Sequence, residues 1–441
     1  MFLSMDKYSK LQQFRFDSYQ MLVQAKDATF ELMDSIMTTP HANSVAEFSL
    51  SPLFTRKWHS TYEAIQDSRL STNKLMKRCI QEIPSQPYLL LVLDHTHWQF
   101  QNAVTLQDRG FQYHSSSINS SIIGLGYSTI AWLPQLTDNG SWTLPLRHER
   151  ITSFENPISK ATWQLKQVCQ RLPHQTDQLL VADCEYGNGL FVTQTADVKV
   201  SKLIRIRSNC CLYTEPPAYC GRGRPRRHGH KFKLNDVTTH ICEDEMLEIK
   251  DDALGLIQIS QWKNLHFRNA YAQKLNLIKI QRLEKKKTGN LHQPLWLIWV
   301  GKQFLDLEQI WSQYKRRFGV DHWYRFIKQR LHWTLPRFGT TAQCQRWSNL
   351  MVNMTWQLWL SRELIQQCHL PWQKPQKNVT PQRVAQSMIS LLVEMSSPTR
   401  VAKTRGKSAG FKIGQTRSKR KRYPMVKKRF SRRKKNKKKV A

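Results

Sequence analysis

Two short, wholly apolar runs, each stopped by an aspartate, constrain this chain more than any other feature. Residues 88–93 (YLLLVL) end at Asp94, and residues 179–182 (LLVA) end at Asp183. A short continuous apolar run suits a strand buried on both faces, inside a sheet covered by helices. Further strands are expected at 122–133, 141–146, 200–207 and 295–300, with a helix at 160–172 between the two aspartate-terminated runs. Strands, then a helix, then strands again argue for a mixed α/β sheet.

Around this core the texture changes. Residues 1–85 read as a helical region suited to DNA binding, closed by Pro84 and Pro87. Residues 86–208 form the first part of the core, and 209–300 read as a β-rich insertion whose last run returns the chain to the core. Residues 301–400 carry a long helical segment from about 305 to 333 and further helices. Residues 401–441 form a basic tail with 19 Lys and Arg and no acid. A block of like charge with few apolar anchors is expected to be disordered until it meets a polyanion.

Charge narrows the partners. Against 32 Asp and Glu stand 68 Lys and Arg, a formal net charge of +36. Such an excess repels itself unless a polyanion neutralises it. The longest apolar runs fall far short of the roughly 20 residues of a spanning helix, so nucleic acid is expected and a membrane is not. The start, MFLSMDKYSK, does not resemble a secretory leader. The nine cysteines are expected to be reduced thiols of a cytoplasmic protein.

An ionised carboxylate at the rim of a buried strand is costly unless a cation or hydrogen bonds compensate it. Two such acids at matching strand ends suggest a site for Mg²⁺, which prefers carboxylate and water oxygens. A third piece lies in YKRRFGVDHWYRFIKQRLHW, residues 314–333. At about 100° per residue, Tyr314, Arg317, Asp321 and Lys328 fall within roughly a 60° arc of one helix face. One acid beside a hydroxyl and two cations suits a phosphodiester: the acid for metal, the others for phosphate.

The spacing Tyr314-x2-Arg317-x3-Asp321-x6-Lys328 resembles the YREK signature of cut-and-paste insertion-sequence transposases of the DDE class. Asp94 and Asp183 fall where that family has its first two catalytic acids, and Asp183-x2-Tyr186-Gly187-Asn188 is similar to its loop. The resemblance spans roughly residues 50–335. It implies an RNase H-like core with a β-rich insertion, and Asp94, Asp183 and Asp321 as catalytic ligands of two Mg²⁺ ions, for which Mn²⁺ substitutes. It further implies cleavage and transfer of double-stranded DNA at terminal inverted repeats and into target DNA, by a homodimer in the DNA complex, at a prokaryotic nucleoid. The family has Glu at the third position. Asp321 is shorter by one C–C bond, about 1.5 Å.

Arg222-Gly223-Arg224-Pro225 resembles an AT-hook, which sets arginines in a narrow A·T minor groove; the other reading is a basic turn. Cys210, Cys211, Cys220, His228, His230, His240 and Cys242 lack paired C-x2-C spacing and are not read as a zinc site. His95 and His97 read as polar neighbours of Asp94, and Trp296 and Trp299 as core. With no Walker loop, ATP coupling is not expected.

Overall fold

The computed structural model describes residues 2–112, 121–135, 142–173, 176–221, 223–284, 291–365, 371–372, 379–403, 412–416 and 418–427. Four helices come first: α1 (Phe2–Met21), α2 (Lys26–Thr38), α3 (His59–Asp67) and α4 (Thr72–Gln81). The core follows with β1 (Tyr88–Gln99), β2 (Gly110–Gln112), β3 (Ile122–Trp132), β4 (Leu144–Ile151), α5 (Pro157–Cys169), β5 (Asp177–Ala182), α6 (Gly189–Gln194) and β6 (Ser201–Ile206). Residues 209–294 add β7 (Cys211–Tyr213), β8 (Lys231–Lys233), β9 (Glu245–Asp251), β10 (Gly255–Phe267) and β11 (Leu275–Arg282). The chain then returns through β12 (Leu295–Val300) to α7 (Leu307–Lys315), α8 (Gly319–Gln329), α9 (Thr341–Ser361) and α10 (Pro381–Glu394).

All twelve strands share one sheet. Its order is β2-β3-β1-β5-β6-β12-β11-β10-β7-β8, with β4 on β3 and β9 on β10. An antiparallel meander, β4-β3-β1, joins two strands parallel to β1, namely β5 and β6. This is a mixed, RNase H-like sheet. The β-rich segment extends it through β12 rather than forming a sheet of its own.

The apolar runs make this arrangement. Leu89, Leu90, Leu91, Val92 and Leu93 are each at most 2% exposed, and such burial contributes about 1.5–3 kcal/mol per side chain before chain entropy is subtracted. Helix α5 starts with a capping box, Asn156 accepting from Ser159 N and Ser159 from Asn156 N, which satisfies two otherwise orphaned donors. Helix α9 is buried on almost every side. Its Trp356 stacks on Trp132 of β3, and its indole donates to Pro145 O at 2.7 Å.

The N-terminal helices are tied into this body. Arg15 of α1 forms a bidentate pair with Asp34 of α2, both contacts 2.8 Å and buried. Arg330, just past α8, is 6% exposed and donates to the carbonyls of Ile36, Met37, Thr39 and Ala385. A cation at the end of α2 also complements that helix's dipole.

Three local expectations change. Strand β1 does not stop at Asp94. It continues to Gln99 because β3 keeps pairing with it after β5 has ended. Strand β4 extends to Ile151, beyond the expected 146. The single helix expected over 305–333 is two helices, α7 and α8, joined by a 3₁₀ turn at Arg316–Phe318. Gly319 follows the break in helical conformation; a Cβ there would lie 2.8 Å from Thr143 Oγ1, so α8 starts hard against the chain leading into β4. Most of the expected disordered tail lies outside the described residues. Within them, Tyr423 N donates to Val104 O and Val426 N to Arg109 O, which pins 423–426 beside β2.

Candidate active site

The first two acids meet through strand register. The β1–β5 ladder ends at the pair Leu93↔Ala182, and the β5–β6 ladder at Ala182↔Ile204. One step further along three adjacent strands stand Asp94, Asp183 and Arg205. Neighbouring strands lie about 4.8 Å apart, so this is one row across the sheet. Arg205 Nη1 is 3.9 Å from Asp183 Oδ1. That oxygen is buried and has no hydrogen-bond partner. The turn after Asp183 hugs β6 because residue 187 is glycine: a Cβ there would lie 2.1 Å from Arg205 O. Asn188 then caps α6, accepting from Phe191 N.

Helices α7 and α8 bring the third part. Arg317, 6% exposed, places Nη1 4.0 Å from Asp94 Oδ2 and Nη2 3.3 Å from Asp321 Oδ2. Asp321, in the first turn of α8, has a half-exposed side chain. Lys328, two turns on, donates to Thr96 Oγ1 at 2.8 Å. Thr96 lies two residues after Asp94 and so on the same face of β1. Asp94, Thr96, Asp321 and Lys328 share the wall of a solvent-open cavity of about 480 Å³.

Burial dominates the electrostatics. It pushes the Asp94 carboxyl up from 3.8 to about 7; Arg317 opposes this, Asp321 and Asp183 reinforce it, and the His95 N–H opposes it. Burial lowers the Lys328 ammonium, against the pull of Asp94 and Asp321. For Arg317 burial again disfavours the charge, yet Tyr314, Asp94, Asp183 and Asp321 hold it above its ordinary value. Beside Asp94 on the neighbouring strand, Thr129 Oγ1 accepts from Tyr324 and bonds His148 Nδ1; burial lowers His148 to about 3 and keeps it neutral.

Asp94, Asp183, Arg317, Asp321 and Lys328 are therefore gathered at one place, with two changes of role. Tyr314 is 2% exposed and Arg317 6%. In this arrangement neither offers a face to a phosphate. Tyr314 lies beneath the acids, its hydroxyl raised by burial and felt by Arg317 and Asp183. Arg222 lies outside the described residues. Arg224 is exposed in the β7–β8 connection, at the far end of the sheet order from β2, and is not brought to the acids. His95 lies against Tyr186, its Nδ1 3.5 Å from the phenol, and Trp296 and Trp299 are buried in the core. Thr96 and Arg205 were missed by motif spacing. Their signal is register: Thr96 shares a strand face with Asp94, and Arg205 aligns with Asp183.

Among the described residues no group of three or more His, Cys, Asp or Glu converges as a metal cage. Arg317 bridges Asp94 and Asp321 instead. The donor chemistry nevertheless fits a hard divalent ion: three carboxylates, a buried Asp183 oxygen without a hydrogen-bond partner, and an Asp94 whose ionisation is disfavoured by burial and by its acidic neighbours.

The model of a family described as DDE superfamily endonuclease matches residues 18–265, more than half of the chain. Asp94, Asp183 and Arg205 fall inside the match, while Asp321 and Lys328 follow it. A search of curated proteins finds no match. No described helix is long and apolar enough to cross a membrane.

Proposed function

Because the chain belongs to the DDE superfamily endonucleases, we propose that it is a transposase of the insertion-sequence type, which cleaves double-stranded DNA at the ends of its element and joins them to target DNA. The single observation that carries this is the row Asp94–Asp183, faced by Asp321 across Arg317. Asp94, Asp183 and Asp321 would hold two Mg²⁺ ions. When bound, such ions activate the attacking oxygen and stabilise the leaving 3′-oxygen in an in-line displacement.

The chain's own groups do the positioning. Arg317, held charged by its neighbours, keeps Asp94 and Asp321 together in the absence of substrate and exchanges that contact as the acids take up cation. Lys328, anchored on Thr96, sets a positive charge in the cavity wall for the phosphate beside the scissile bond. Arg205, with a side chain about half exposed, steadies Asp183 and faces solvent where the next phosphate runs. Asp321 in place of Glu is met by Arg317, whose Nη2 reaches the shorter carboxylate at 3.3 Å.

The test is strand joining. A supercoiled plasmid carrying the DNA that flanks this gene, incubated with full-length protein and Mg²⁺, is expected to yield cut ends and then joined products. Cutting without joining would reduce the reading to a nuclease. Neither, with DNA binding retained, would favour a DNA-binding descendant, with Asp321 in place of Glu as the sign of lost catalysis.

A further inference from the structure

The described part of the basic tail closes a second cleft, away from the acids. Its walls come from the turn after α8, from α9, from the 43–66 region and from tail residues 420–423, and it encloses about 1040 Å³. Four cations line it: Arg337, Arg346, Arg420 and Lys421. Tyr62 and Tyr423 stand among them, and among the described residues no Asp or Glu lines it. The hydrogen bonds of Arg337 and Arg346 go to main-chain carbonyls, of Gln99 and of Ile65 and Gln66. Asp67 acts on Arg346 from outside the wall; among the described residues no carboxylate lines the cleft itself.

The tail is seated there by specific bonds. Tyr423 N donates to Val104 O at 2.9 Å, Val426 N to Arg109 O at 2.8 Å, and Arg109 Nη2 returns a bond to Tyr423 O at 3.2 Å. Residue 426 bridges Gly110 in parallel, as a short added strand would. Arg109 is itself 3% exposed.

We propose that this cleft binds the phosphate backbone of double-stranded DNA, and that the seated tail makes it a clamp. Cations interleaved with aromatic rings, without acids, form a phosphate-binding lining. Its position follows from the strand it rests on. Arg337 bonds Gln99 at the end of β1, and Asp94 lies five residues back on that strand. At about 3.3 Å per residue this is about 16 Å, or some five phosphates at about 3.4 Å each along one DNA strand. The clamp holds the flanking DNA while the acids act on the cut site. The inference rests on the DNA reading above, but the clamp does not depend on catalysis.

Three full-length variants test it on duplex DNA carrying the gene's flanking sequence. Arg420→Ala/Lys421→Ala removes two exposed tail charges. Val426→Pro keeps every charge but removes one of the two N–H groups that seat the tail and the bridge to Gly110. Asp94→Asn reports on the acids. In the native protein, protection from hydroxyl radicals is expected about five nucleotides from the cut. Both tail variants are expected to lose it, and Asp94→Asn to keep it. The double variant should also lower the slope of log affinity against log salt by about 0.9 per charge removed. Unchanged protection in either tail variant, with thermal unfolding unchanged, overturns the clamp. Absence of cleavage in the native protein with protection intact overturns only the transposase reading.

Discussion

The guanidinium of Arg317 stands 4.0 Å from the carboxylate of Asp94, and both side chains are about nine-tenths buried. An acid so placed is held between a desolvation cost and the cations beside it, Arg317 foremost. That balance makes its protonation sensitive to whatever else enters the site.

The pH dependence follows. Folded Asp94 titrates near 7 against an ordinary 3.8. The folded chain therefore keeps a proton that the unfolded chain has lost, and stability falls as pH rises through that window. Asp94→Asn is expected to be more stable than the native protein above pH 7 without divalent ions, by on the order of 4 kcal/mol. Urea unfolding of both on either side of the window checks this. A native protein whose stability rises from pH 4 to 7 relative to Asp94→Asn would contradict it. Mg²⁺, which needs the ionised form, should stabilise the native protein more above pH 7 than below.

Arg330 gives a prediction free of chemistry. Arg330→Met leaves the carbonyls of Ile36, Met37, Thr39 and Ala385 without this donor. A loss of about 2–4 kcal/mol in urea unfolding is expected, with DNA binding by the folded protein retained. No change in midpoint would show that α2 is held by packing alone.

For Asp321 the Arg317 bridge decides the sign. Arg317 stands 4.0 Å from Asp94 and 3.3 Å from Asp321, a spacing set for the shorter acid, which a longer side chain displaces. Asp321→Glu is expected to cut DNA more slowly, by on the order of 10²-fold for a displacement near 1 Å, and Asp321→Ala not at all. Faster cleavage by the Glu variant would mean that the site is short of reach instead.

These relationships differ in how far they are readable from sequence. Asp94 and Asp183 stand out because apolar runs end in a charge, a local signal. Strand Leu295–Val300 is delimited by Pro294 and Gly301, which bound its apolar run. That Asp94, Asp183 and Arg205 form one row depends on which residue of β1 pairs with which of β5 and β6. Register is set by non-local packing and by the turns, so no window of sequence carries it. The 314–328 face was drawn as one helix because amphipathic spacing is blind to a 3₁₀ turn. Arg317 and Asp321 still meet, being four residues apart across that turn, while Tyr314 is left beneath them. The seating of residues 423–426 runs through main-chain bonds, which leave no mark in a charge pattern.

The central claim is that Asp94 and Asp183 together form a metal-dependent cleavage site. The most direct measurement is Mg²⁺-dependent cutting of the gene-flanking duplex by native protein, Asp94→Asn and Asp183→Asn side by side, with DNA affinity measured for each. Cleavage by the native protein, none by either variant, and affinities within a few-fold of one another is the expected result. Native-rate cutting by either variant would remove that residue from the site and with it the account given of the row.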